Sequence, residues 1–232
     1  MRTVDTDLIR TLPLFAEMQD ERFEMLIRPS FLQMFPSQTL LIGEGDPPDF
    51  LFVVVEGGVE LFGGWNAHEL AMSLVEPGGS FILAAVLKDA VYLMSARTTQ
   101  RSRILMVPGE SVRQAFAADD AFARAIVLEM AAGYRSLVKS LKDLKLRSGV
   151  ERLAARLVQL NRDNGATGQF TLPCEKRTLA ALLGMTPENL SRAFSTLRPY
   201  GVDVEGSVVR LTNPADLERL AKPDPLIDDH AT

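Results

Sequence analysis

Residues 5–33 place Leu8, Ile9, Leu12, Leu14, Phe15, Met18, Phe23, Leu26 and Ile27 at helical spacing, with Pro13 interrupting them. That pattern predicts short helices. From residue 38 to residue 107 the texture changes. Apolar runs at 40–42, 50–55, 59–62, 70–75 and 104–107 alternate with Gly45-Asp46-Pro47-Pro48, Gly57-Gly58 and Gly63-Gly64. Short strands at roughly ten-residue spacing with turn signals predict a sandwich- or barrel-like β domain.

At Asp119 the period becomes helical again, and Asp119 and Asp120 offer N-cap chemistry. Phe122, Val127, Met130, Ala131, Tyr134, Leu137, Val138, Leu141 and Leu144 form one stripe, with no strong breaker before Ser148-Gly149. A helix of about 25 residues would run ~37 Å. A near-heptad stripe of that length points to a partner helix from a second copy, with Val127, Met130, Tyr134, Leu137 and Leu141 at the seam. A helix packed only on its own domain would carry the same pattern.

Beyond it the chain predicts a helix over 150–160, a polar loop over 161–169 and a short strand over 170–172. Helices over 176–183 and 187–197 follow, then a hairpin of 202–204 and 208–211 around Glu205-Gly206-Ser207. Residues 223–232 are rich in proline and aspartate and are expected to be disordered. The class is α+β, in four parts. These are a β domain over 1–118, a long helix over 119–147, a winged helix-turn-helix over 148–222, and the tail.

The segment 176–206 is the most informative. A compact helix, Arg177 to Leu183, ends in Gly184, which can take the left-handed conformation of a tight turn. Thr186, Pro187 and Glu188 then give an N-cap, an N1 proline and an acidic first turn. Leu190, Phe194 and Leu197 face inward. Glu188, Asn189, Ser191, Arg192 and Ser195 are left outward near the start of the helix, where a recognition helix meets base edges in the major groove. Arg177, Thr178 and Thr186 flank them as further DNA-contact candidates. A small helical hairpin on a β-ribbon would share parts of this order but not all of it.

Charge agrees with that division. The chain carries −5 in total, yet residues 145–222 hold 12 Lys and Arg against 8 Asp and Glu, an excess of four. An acidic body with a basic C-terminal segment suits a DNA binder. No stretch of apolar residues is long enough to span a bilayer, and the start lacks a basic-then-apolar leader, so a cytoplasmic protein without a membrane partner is expected. The single cysteine, Cys174, rules out an intramolecular disulfide or a four-cysteine metal or iron–sulfur site. No nucleophile elbow, P-loop or dinucleotide fingerprint is present, so an enzyme is not expected.

The chain resembles the CRP/FNR family, the cyclic-AMP receptor and fumarate–nitrate-reduction regulators, over about residues 8–220. Leu40-Leu41-Ile42-Gly43-Glu44-Gly45-Asp46 and Phe50-Leu51-Phe52-Val53-Val54-Val55-Glu56-Gly57-Gly58-Val59 are similar to the family's cyclic-nucleotide-binding β-roll. Glu188, Ser191 and Arg192 match its E-x-x-S-R recognition-helix motif. Met94-Ser95-Ala96-Arg97-Thr98 and 141–147 also resemble a subgroup labelled FtrB-like. The resemblance implies a homodimer on double-stranded DNA, two-fold-symmetric TTGA-like half-sites, RNA polymerase as a partner, and a small-molecule effector.

The resemblance also implies that a cyclic-AMP-responsive chain would carry a Gly-Glu pair and an arginine in its phosphate cassette. Here the glutamate falls near Leu83 and the arginine near Tyr92. Burying a phosphate without a cation is unfavourable, so cyclic AMP is not expected as the effector. Gly79, Ser80, Leu83 and Tyr92 are the pocket candidates. The apolar run 81–87 fits either a collapsed pocket or one for an apolar ligand. Arg97 and Arg101 read as solvated strand-surface cations. No cofactor is expected, although haem ligation by His68 at a hairpin tip stays open beside simple exposure. Cys174 reads as a packing residue, with a redox switch as the other reading. The rival function is a cyclic-nucleotide-binding regulatory protein without sequence-specific DNA binding.

Overall fold

The computed structural model describes residues 3–66 and 68–229. The chain divides into two units, Met1–Gly133 and Tyr134–Thr232.

The first unit opens with α1 (Thr3–Arg10) and α2 (Asp20–Ile27). Arg10 ties them, donating to the Phe15 carbonyl at 3.0 Å and the Asp20 carboxylate at 2.9 Å. The helical spacing over 5–33 misleads at its end. Phe31–Phe35 is a strand, β1, because it pairs along its whole length with a strand 70 residues later. The chain continues through β2 (Leu40–Ile42), β3 (Phe50–Glu56), β4 (Val59–Trp65), β5 (His68–Val75), β6 (Ser80–Phe81), α3 (Leu83–Lys88), β7 (Ser95–Thr98), β8 (Ser102–Pro108) and α4 (Gly109–Ala118).

Two antiparallel sheets result, ordered β1-β8-β3-β6 and β2-β7-β4-β5. β3 explains its own unbroken apolar run, because both its faces are buried. Leu51, Val53 and Val55 enter a core with α1, α2 and α4, whereas Phe52 and Val54 enter a second core with Leu61, Phe81, Tyr92 and Ala96. The turn after β3 needs glycine. Gly57 has φ +90°, and a Cβ there would lie 2.7 Å from the Ser102 Cα and 2.8 Å from the Arg101 carbonyl oxygen.

The long helix, α5 (Asp120–Leu146), has 27 residues. Asp119 caps it, accepting from the Phe122 N–H at 2.8 Å and the Gln19 N–H at 2.9 Å. Phe122 and Ile126 are sunk in the first core, with Phe122 stacked on Phe15 at 6.1 Å.

The second unit contains the C-terminal part of α5, then α6 (Gly149–Asp163), β9 (Gln169–Thr171), α7 (Lys176–Leu182), α8 (Pro187–Leu197), β10 (Val202–Glu205), β11 (Val208–Leu211) and α9 (Pro214–Ala221). Its sheet is ordered β10-β11-β9. Leu153, Leu157, Leu179, Leu190, Leu197, Val209 and Leu217 are fully or nearly fully buried in one core. The hairpin does not end the unit. Asn213 caps α9, which Pro214 starts, and Leu217 and Ala221 bury its inner face.

The tail is corrected. Pro225–Asp228 is a short helix, α10, begun by Asp224, whose side chain accepts from the Leu226 N–H at 2.8 Å. It holds because Arg147 supplies a buried cation for Asp228. Residues 230–232 of the expected disordered tail lie outside the described residues. No described helix is long and apolar enough to cross a membrane.

Candidate nucleic-acid interface and sensor cassette

The helix-turn-helix is built by local chemistry. α7 stops at Gly184, whose φ is +61°. Ala180 is fully buried in the core that also takes Leu190 and Ala193 of α8. Thr186 caps α8, its oxygen accepting from the Asn189 N–H at 3.3 Å, and Pro187 follows at the first helical position. Glu188 accepts from its own N–H and from the Thr186 hydroxyl, and Arg192 lies near it. Together these hold its carboxyl below the usual range. It is therefore an ionised acceptor.

The helix has one dry face and one wet one. Leu190, Ala193, Phe194 and Leu197 are buried. Glu188, Asn189, Ser191 and Arg192 are exposed, as are Arg177 and Thr186, while Thr178 is half-buried. The candidates at 186–192 thus share one end of one helix. Ser195 and Thr196 are exposed too, but their hydroxyls already donate to the Ser191 and Arg192 carbonyls at 3.1 and 3.0 Å. The β10–β11 hairpin turns at Gly206, with Arg210 held by Glu205 and Gln169. Cys174 is half-buried against the unit's core.

On α5 the apolar stripe is bare beyond Ile126. Tyr134 is 70% exposed, Leu137 71% and Leu141 53%, and Val127 and Met130 are exposed as well.

In the sensor cassette, Leu83 and Tyr92 are buried. The Tyr92 hydroxyl donates to the Phe50 carbonyl at 2.9 Å, and burial pushes its pKa up. Ser80 is occupied from another element. Glu129 of α5 accepts from the Ser80 N–H at 3.3 Å and also from its hydroxyl. Glu129 escaped the reading of the sequence, since nothing in its local context marks a residue that docks 49 positions away.

Arg97 is corrected, because it is paired rather than simply solvated. It donates to Glu60, itself buried, at 2.6 Å and to Glu69 at 2.9 Å, and it lies 4.2 Å from the Phe62 ring centroid. Burial opposes its charge, but the two carboxylates outweigh burial and keep it more firmly protonated. Arg101 is exposed. His68 is exposed at the start of β5, opposite Trp65; Ala67, at the hairpin tip, lies outside the described residues.

Two stretches match known families. Residues 32–119 match the cyclic nucleotide-binding domain, and residues 151–220 match the Crp-like helix-turn-helix domain. Joined by a long helix, these two parts define a DNA-binding transcription regulator with a sensor-type β domain. The chain is 24% identical over 196 residues to the CRP-like cAMP-activated global transcriptional regulator of Mycobacterium tuberculosis, covering 81% of this chain and 85% of that protein. It is 22% identical over 216 residues to the transcriptional activator protein FnrA of Stutzerimonas stutzeri, covering 90% and 88%. FixK2 from Bradyrhizobium japonicum shares the fold, with a TM-score of 0.71 over 84% of this chain and 98% of that one at 22% identity. The chain belongs to the CRP/FNR family of transcriptional regulators. The helix-turn-helix match decides against a nucleotide-binding protein that lacks a DNA reader.

Proposed function

We propose that the protein is a cytoplasmic homodimer that reads a two-fold-symmetric, TTGA-like site, and that its sensor domain does not take cyclic AMP in the family's manner. The observation that carries the DNA reading is the polarity of α8. Its buried face fixes the helix, and its capped, exposed start presents Glu188, Asn189, Ser191 and Arg192 together. Arginine can make a bidentate contact to guanine, and an ionised glutamate can accept from cytosine. Arg177, Thr178 and Thr186 flank that end and suit phosphate contacts, which set register rather than sequence.

The dimer reading is supported by the bare stripe on α5. Val127, Met130, Tyr134, Leu137 and Leu141 are apolar groups left exposed at coiled-coil spacing. Two copies would present two α8 helices to half-sites about 34 Å apart. RNA polymerase is the further partner that the family suggests.

The effector reading departs from the cAMP-activated relative. Leu83 packs into the core with α1, α2 and α4 and Tyr92 into the core between the sheets, so neither supplies a cation, Arg97 is committed to two carboxylates, and Glu129 brings a carboxylate to Ser80. A cyclic phosphate would meet repulsion where it needs a cation.

Arg192→Ala tests the DNA reading. On duplex DNA with two inverted TTGA half-sites, binding should weaken by about 1–3 kcal/mol per half-site, while affinity for random DNA is retained. Equal loss on both duplexes would reduce Arg192 to a phosphate contact and refute the assignment.

A further inference from the structure

Between α5 and α6 only Arg147 and Ser148 lie outside a helix. Ser148 restarts the chain with a capping box. Its oxygen accepts from the Glu151 N–H, and Glu151 accepts from the Ser148 N–H at 2.9 Å and hydroxyl at 2.8 Å. These bonds, with those of Lys222, bring the Glu151 carboxyl to a pKa of about 2. A two-residue break between helices is by itself a joint.

Two sets of contacts close it. Arg152 donates to the Arg147 carbonyl at 2.7 Å and the Leu144 carbonyl at 3.5 Å. It also reaches the turn before α8, donating to the Leu183 carbonyl at 2.8 Å and the Gly184 carbonyl at 3.5 Å. One guanidinium therefore ties the end of α5 to the recognition hairpin.

The second set comes from the C-terminal segment. The Arg147 side chain is only 8% exposed. It donates to both oxygens of Asp228, each at 2.6 Å, to Asp143 at 3.0 Å and to the Lys222 carbonyl at 3.1 Å. Asp228 is held in turn by the Asp224 N–H at 2.7 Å. Lys142 reaches the Leu226 carbonyl at 3.5 Å, Lys139 bonds the Asp229 carbonyl, and Lys222 pairs with Glu151 at 3.0 Å. Burial alone would raise the Asp228 pKa, but Arg147 and the Asp224 amide bring it below the ordinary value. A buried guanidinium needs its counter-charge, so this segment is part of the joint rather than an appendage.

We propose that residues 222–229 are a strap that fixes the α5–α6 joint, and that Arg147, Arg152 and Asp228 are positioning residues setting how α5 carries the recognition helix. The strap itself rests on contacts within the second unit. Its consequence for DNA rests on the two-half-site reading given above.

The test uses the full chain with Asp228→Asn, Asp228→Ala and, as a control that leaves the strap's own anchor in place, Asp143→Asn. Hydrogen exchange is read at residues 144–149. Losing the charge-assisted pair should speed exchange there roughly 10- to 100-fold in both Asp228 variants and much less in the control, with the α8 and hairpin amides unchanged. Affinity for DNA with two inverted half-sites should fall about tenfold, whereas affinity for one half-site should stay within about twofold. Unchanged exchange at 144–149 in both Asp228 variants overturns the strap. Faster exchange with equal two-site affinity overturns the positioning role. A wild-type protein with no preference for two half-sites defeats the dimeric reading, while the exchange measurement still decides the strap.

Discussion

Two glycines with the same backbone sign should respond very differently to alanine. Gly57 and Gly184 both have positive φ, +90° and +61°. The conformational cost of an L-residue there is about 1–2 kcal/mol in each case. The surroundings then separate them. At Gly57 a Cβ meets the Ser102 Cα at 2.7 Å and the Arg101 carbonyl at 2.8 Å, backbone atoms of the neighbouring β8 end that cannot turn aside. Overpacking of that kind adds about 1–3 kcal/mol. At Gly184 the nearest atom to a Cβ is the Leu144 Cδ2, the tip of a side chain that is 45% exposed. It can rotate away, so little is added. Gly57→Ala should therefore cost about 2–5 kcal/mol in the first unit, and Gly184→Ala about 1–2 kcal/mol in the second. Urea denaturation followed by circular dichroism gives the totals. Exchange at Val53 and Ile104 against Leu157 and Leu190 assigns each loss to its unit. Equal costs, or the reverse order, would refute the argument from rigid and flexible neighbours.

Leu141→Asp should yield monomers in sedimentation, since a carboxylate buried at an apolar seam costs several kcal/mol per pair; a variant that stays dimeric would place the seam elsewhere. Cyclic AMP and cyclic GMP titrated by calorimetry should bind no better than about millimolar, or −4 kcal/mol, and a micromolar constant for either would sink the effector reading.

What could be read from sequence was what local pattern decides. The apolar run of β3, the capped start of α8 and the stripe on α5 each carry their period or cap within a dozen residues. The failures were long-range. β1 has mixed apolar spacing and takes its form from β8. α4 begins directly after a strand with Gly109, which gave no start signal. The tail has a disordered composition, and its order depends on Arg147, 81 residues earlier. Arg97 looked solvated because Glu60 and Glu69 are on other strands. Among candidate site residues, those of the recognition helix can be proposed from sequence because they lie close together in the chain. Glu129, Arg152 and Asp228 cannot, because their contacts exist only once distant segments meet.

The Glu129 contact with Ser80 has a consequence for what the sensor can hear. A carboxylate carried on the same chain competes for the Ser80 donors at an effective concentration on the order of millimolar or more. A free anion of equal intrinsic affinity would have to reach that concentration to hold half the sites. A dilute anion would therefore leave the Ser80 donors with Glu129, and only one held by further contacts, or far more concentrated, would displace that carboxylate.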